Sequence, residues 1–144
     1  KAQPKFYVFD LGVKRAMERS LDAKITAQTS AFGRAFEHFI VCEIQRLNEY
    51  FRRDFRLSHY QSTQGGEVDL ILSKGRKVLA VEIKSATRLD EVEIRRFSRV
   101  SEALKPSVKY LVSRDPTPSE VEDVRCLPWQ EFMREVMSGI EPGC

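Results

Sequence analysis

Two apolar runs that lie almost end to end constrain this chain more than anything else in it: "EVDLILS" (67–73) and "KVLAVEIK" (77–84). Each is about the length of a strand. The "SKGRK" between them carries Gly75 and reads as a tight hairpin turn. Side chains alternate along a strand. In the first run Val68, Leu70 and Leu72 share one face, and Glu67, Asp69 and Ile71 the other. In the second, Leu79, Val81 and Ile83 oppose Val78, Ala80, Glu82 and Lys84. The two fully apolar faces must lie together against a core, which fixes the parity of the register. Pairing Ser73 with Arg76 across a Lys74–Gly75 turn sets Asp69 opposite Ala80. Glu82 is then diagonal to Asp69, and Glu67 is opposite Glu82.

The second face is therefore divided. Near the turn it is apolar; away from it, it gathers Glu67, Asp69, Glu82 and Lys84. Crowded carboxylates raise one another's pKa, and one lysine offsets only part of the repulsion. A divalent cation held by carboxylate oxygens would remove the conflict, and hard oxygen ligands suit Mg²⁺ or Mn²⁺ better than zinc. The plain alternative is a solvated sheet face whose charges do nothing further. Both readings are open on geometry alone.

The rest of the chain supplies layers for this hairpin. "KFYVFD" (5–10) reads as a strand, and "LGVKRAMERSL" after it as a short helix with Asp10 as its cap. "DAKITAQTS" reads as a linker. Phe32, Phe36, Phe39, Ile40, Ile44, Leu47 and Phe51 recur at helical spacing and predict a helix over about 31–52, capped by Ser30. Residues 55–62 predict a strand. A helix over about 91–104 has Asp90 as cap, Glu93 as capping-box partner, a Leu89–Ile94 staple and Pro106 past its end. Residues 107–113 predict another strand. "RDPTPSEVED" reads as a loop with room for one helical turn, "VRCLP" as a short strand, and Trp129 to Met137 as a closing amphipathic helix. The expected architecture is α/β: a mixed sheet of four to five strands flanked by helices.

Length and composition exclude several classes. The 144 residues suit one domain with a modest core, and 42% hydrophobic against 31% charged residues is an ordinary globular balance. No apolar run approaches a membrane span and no signal-peptide pattern opens the chain, so no membrane association and a cytoplasmic location are expected. Cys42, Cys126 and Cys144 are far apart and form no CxxC or Cys/His cluster, which predicts reduced thiols and no structural zinc. A net charge of +3 permits a polyanionic partner without demanding one. No G-x-x-x-x-G-K-[ST] loop occurs, so these residues hold no P-loop ATP site.

Asp69, then Glu82-Ile83-Lys84 on the next strand, resembles the signature of the PD-(D/E)XK nuclease superfamily. The helix before the strands often supplies a further acid there, and "GRAFEHFIVCEI" offers Glu37, with Glu43 as its rival six residues on. The element order resembles that superfamily's αβββαβ core, a restriction-endonuclease-like fold, over roughly residues 29–114. Val68 stands where the signature has proline. A likeness over nearly the whole chain, carried by "KFYVFDLGV", "FGRAFEHFIVCEI", "GGEVDLIL" and "AVEIKSA", is to the C-terminal domain of a family of bacterial and archaeal AAA+-type ATPases. It implies an upstream ATPase module of the same chain, residues 1–28 as the edge of a preceding region, and residues 29–144 as the nuclease-like domain. The first residue, Lys1, agrees with a C-terminal piece.

The resemblance implies roles. Asp69 and Glu82 would hold Mg²⁺ or Mn²⁺, with the Ile83 carbonyl completing the shell. Lys84 would orient water or stabilise charge on phosphate, and Glu37 would assist. Glu67 shares their predicted face; Gln61 and Ser85 are weaker candidates for placing water or phosphate. Arg95 and Arg99 on the second helix, beside Arg88, Arg96 and Lys105, and Arg52 and Arg53 with Arg56, could follow a DNA backbone. The same arginines fit a solvated helix face with a Glu91–Arg95 pair. Two functions are thus expected in contrast: a metal-dependent nuclease acting on DNA, or a non-cleaving module of a larger ATPase that binds nucleic acid or protein. An oligomer is permitted by either.

Overall fold

In the computed structural model of this protein, residues 4–8, 10–19 and 24–139 are described. Lys1, Phe9, Asp22, Ala23 and Cys144, named above, lie outside them. Helix α1 (Leu11–Met17) leads by an irregular stretch into α2 (Ser30–Tyr50). Strands β1 (Arg56–Gln61), β2 (Glu67–Lys74) and β3 (Lys77–Lys84) follow, then α3 (Glu91–Ser101) with a 3₁₀ turn at Glu102–Leu104. The chain closes with β4 (Val108–Ser113), β5 (Ser119–Val121), β6 (Val124–Pro128) and α4 (Trp129–Phe132), which widens into a π-type turn over Met133–Ser138.

The six strands form one sheet in the order β1-β2-β3-β4-β6-β5. β1–β2, β2–β3 and β5–β6 are antiparallel; β3–β4 and β4–β6 are parallel. This mixed sheet between helices is the restriction-endonuclease-like αβββαβ core expected from the sequence. The extra strand is β5, which lies in the segment read as a loop. A turn at Glu122 and Asp123, with Glu122 at φ 55°, returns the chain antiparallel to β6. Its polar "SEV" carries no alternating apolar signal.

Two cores cover the sheet's faces. On one side Phe36, Ile40, Val41 and Ile44 of α2, with Phe132, Met133 and Met137, pack on Leu70, Leu72, Leu79, Val81 and Ile83. On the other, Ile94 and Phe97 of α3 pack on Val68, Ile71 and Ala80. Ile40 and Ile44 are wholly buried, each contributing roughly 2 kcal/mol of apolar transfer. Thr29 caps α2 by accepting from the Phe32 N–H, in place of the expected Ser30. Asp90 caps α3 as expected, accepting from Val92 N–H. No strand forms among the described residues of 5–10; instead, Val8 turns its carbonyl to His38 Nε2 and Cys42 Sγ, and Tyr7 packs on the α2-side core. Among the described residues no helix is long and apolar enough to cross a membrane.

Candidate active site

The hairpin is the scaffold of the site, and its register differs from the expected one while keeping the parity. Lys74 pairs with Lys77 and Ile71 with Ala80. The loop is therefore Gly75–Arg76, one residue later than expected. Gly75 takes φ 57° at the first loop position, where a two-residue hairpin loop calls for left-handed backbone. The apolar faces meet as anticipated, Leu70 with Val81 and Leu72 with Leu79.

A bulge then changes which way the acids face. Ser58 pairs with Ile71 and Tyr60 with Val68, so Asp69 and Leu70 together oppose the single residue His59. A bulge of this kind inserts one residue and reverses the alternation beyond it. Val68 consequently lies in the α3-side core with Ile71. Glu67 and Asp69 turn toward Lys5, which also pairs with Glu37 of α2. Glu82 and Lys84 keep the alternation of β3, and Lys84 reaches Glu93 of α3 at 3.8 Å. The four charges expected on one face instead straddle the open end of the hairpin.

Two interactions join the halves. The Ile83 N–H donates to Asp69 Oδ2 at 2.9 Å, a bond a regular ladder would have given to a β2 carbonyl. Asp69 also repels Glu82. Burial first, and then the Asp69 charge, push the Glu82 carboxyl up to about 7 against the pull of Lys84 at 3.3 Å. Asp69 is pushed up to about 6, by burial first and then by Glu37. Glu82 Oε2 is buried and has no hydrogen-bond partner among the described residues.

Lys5 was not foreseen as part of this cluster. Its ammonium lies 3.3 Å from Glu37, 3.6 Å from Asp69 and 3.9 Å from Glu67. Burial opposes its charge, yet the carboxylates outweigh burial and raise its pKa. Tyr7 donates to Glu37 at 2.8 Å, and its phenol is raised by burial and by that neighbour. Lys5 stands inside the aromatic run "KFYVF", the one local sign that it is held in place. Of the two helix acids, Glu37 joins the cluster, whereas Glu43 pairs with Arg46 at 2.5 Å. Among the described residues no three His, Cys, Asp or Glu side chains are grouped to hold a metal ion. Glu37 spends its oxygen on Lys5 and Tyr7 instead.

The predicted arginines are dispersed. Arg95 is tied to Glu91 at 3.3 Å and Glu122 at 2.7 Å. Arg99 is exposed on α3. Arg52 and Arg53 sit beside the hairpin turn, where Lys74 Nζ donates to the Arg53 carbonyl, so they belong to the opposite end of the sheet from Asp69. Arg114, stacked over Phe32 at 5.0 Å and bonded to the Ser85 carbonyl, lies against the end of the "EIKSA" segment. A pocket of about 580 Å³ adjoins Asp69, lined by Val41, Leu57, Leu70, His59 and Gln45.

The carboxylate oxygens are the donor type that Mg²⁺ or Mn²⁺ takes, and the buried, unpartnered Glu82 Oε2 fits such a ligand role. No solved structure matches the chain. A UPF0102 protein of Rhizorhabdus wittichii is 39% identical over 75 residues, covering 47% of this chain and 60% of that protein. The chain thus spans under two thirds of that relative. Residues 32–132, from the first turn of α2 to the end of α4, match the family profile described as "Domain of unknown function (DUF4143)". Since that match takes in the whole scaffold of the acid cluster, the chain belongs to the DUF4143 family.

Proposed function

We propose that this domain is a divalent-metal-dependent nuclease that hydrolyses DNA phosphodiester bonds. The observation that carries the reading is the Asp69 bulge, hydrogen-bonded to the Glu82-Ile83-Lys84 strand at the open end of the hairpin. Asp69 and Glu82 would hold Mg²⁺ or Mn²⁺. The Ile83 carbonyl would join them, since a strand residue's N–H and C=O point to the same neighbour and its N–H meets Asp69. When bound, the ion supplies Lewis-acid polarisation of a phosphoryl oxygen and compensates the carboxylates. Lys84 follows the same strand by two residues; its ammonium orients water and offsets charge growing on the phosphate. Glu37 holds Tyr7 and Lys5, and so positions the lysine that balances the cluster.

Incubation with supercoiled, linear and branched DNA, with Mg²⁺ or Mn²⁺ and then EDTA, tests this. Cleavage that disappears in EDTA and in Asp69→Ala and Lys84→Ala supports it; cleavage that survives both substitutions sinks it. A second reading has its own observation. Lys5 already pairs with three carboxylates, so the cluster would serve as a lock in a non-cleaving module that binds nucleic acid or a protein. Absence of cleavage by the folded chain with either metal favours that reading. The likeness to C-terminal domains of AAA+-type ATPases supports placing either activity behind an ATPase module of the same chain. A Walker A motif encoded upstream is the test.

A further inference from the structure

We propose that the hairpin-turn end of the sheet carries a second binding site, for a phosphate group, between Arg53, Lys77 and Arg125. It is independent of the acid cluster. Lys77 opens β3 and Lys84 closes it, so the two sites are roughly 23 Å apart along one strand.

A pocket of about 340 Å³ lies here, with Arg53, Lys77 and Arg125 against the single carboxylate of Glu135. Arg125 is already balanced. Its two terminal nitrogens bond the two Glu135 oxygens, and its guanidinium lies over the Tyr110 ring at 5.4 Å. That pair forms a stiff wall. Arg53 and Lys77 have no carboxylate within ion-pair distance among the described residues. The Arg53 Nε is buried and has no hydrogen-bond partner among the described residues.

The backbone of Arg53 is also fixed in place. Its N–H donates to the Asn48 carbonyl at 2.9 Å, and its own carbonyl accepts from Lys74 Nζ at 2.8 Å. A guanidinium carried on this fixed backbone, sharing a pocket with the long-stemmed Lys77, matches a tetrahedral oxyanion. The exposed cations Arg52, Arg56 and Arg76 around it strengthen the field at this end. The pocket exceeds a bare phosphate in size, and the side chains of Leu79 and Tyr110 in its lining suit the sugar of a nucleotide.

The test is titration of the full chain in EDTA with inorganic phosphate and with short oligothymidylates bearing a 5′-phosphate or a 5′-hydroxyl. Binding is read by calorimetry and by the amide resonances of Arg53 and Lys77. The expected result is saturable binding of at least one probe that shifts both resonances. Arg53→Gln and the exposed Lys77→Gln should each weaken it by about tenfold. Dependence on the 5′-phosphate identifies a terminal phosphate as the source. Equal binding of both oligonucleotides identifies the backbone. Binding of inorganic phosphate alone identifies a free anion. No saturable binding by any probe, or unchanged affinity in a Lys77→Gln variant with native circular dichroism, overturns the proposal.

Discussion

Asp69 Oδ2 accepts the Ile83 N–H at 2.9 Å, and this bond closes a bulge that would otherwise leave a buried backbone donor unpaired. Substitution therefore separates the two burdens of Asp69. Asn keeps an acceptor and sheds the charge; Ala loses both. In EDTA at pH 8, Asp69→Asn should be at least as stable as the parent to urea. Asp69→Ala should be weaker than Asp69→Asn by about 1–3 kcal/mol, the cost of an orphaned buried N–H. Equal stability of the two variants would show that the bond does not hold the bulge.

The raised carboxyls fix the sign of a pH effect. Asp69 at about 6 and Glu82 at about 7 exceed their ordinary values of 3.8 and 4.5, so the folded chain binds more protons than the unfolded chain between those limits. Their contribution is fully present below about pH 4 and is lost as pH rises to about 7. Without metal, stability from this cluster should fall over that window by on the order of a few kcal/mol. Glu82→Gln should flatten the fall. A saturating divalent cation should restore stability at pH 8, since a ligand bound only by the folded state stabilises it. Urea melts at several pH values, with Mg²⁺ and with EDTA, give the answer; a rise from pH 4 to 7 in EDTA would reverse the argument.

The sequence shows the layers and the hairpin because both follow from periodicity. Leu70, Leu72, Leu79 and Val81 had only one way to share a core, so the parity was legible even though the loop shifted by one residue. The bulge was not legible. It depends on how β1 meets β2 at His59, a pairing that no pattern within either strand encodes. Hence the members of the acid cluster could be named while their division between two faces could not. Lys5 stayed hidden for a related reason: it lies 64 residues before Asp69 in a segment whose aromatic pattern suggests a strand. Its role comes from tertiary placement alone. β5 was missed because its "SEV" has no apolar alternation and forms only as the return of a turn onto β6.

Lys5 acts as a tethered counter-ion, and its removal should trade intrinsic stability for cation binding. Lys5→Met keeps most of the apolar stem and deletes the charge. Glu37, Glu67 and Asp69 then lack the ammonium that each now faces within 4 Å. In EDTA at pH 8 the variant should melt at a lower temperature than the parent. Its midpoint for Mn²⁺ should be lower, because the ion no longer displaces an ammonium to reach Asp69. Calorimetric titration with Mn²⁺ reads the second effect directly. Weaker Mn²⁺ binding by the folded variant would mean that Lys5 supports the metal site and does not compete for it.

Asn48 offers a test of the scaffold apart from the chemistry. Its side chain is buried near the end of α2 and bridges to the next segment with both of its polar groups. Nδ2 donates to the Phe55 carbonyl and Oδ1 accepts from the Phe55 N–H, each at 2.9 Å. This imitates one rung of a sheet and turns the chain from α2 into β1, across Arg52 and Asp54, both with positive φ. Asn48→Ala would leave both Phe55 groups without partners at about 1–3 kcal/mol apiece. We expect a loss of about 2–6 kcal/mol by urea denaturation. Asn48→Asp keeps the acceptor, loses the donor and buries a charge, so it should be no better than Ala at pH 8 and should improve relative to Ala as the pH falls. A loss below about 1 kcal/mol for Asn48→Ala would mean that water replaces the side chain, and that the α2–β1 corner is held by Phe55 packing alone.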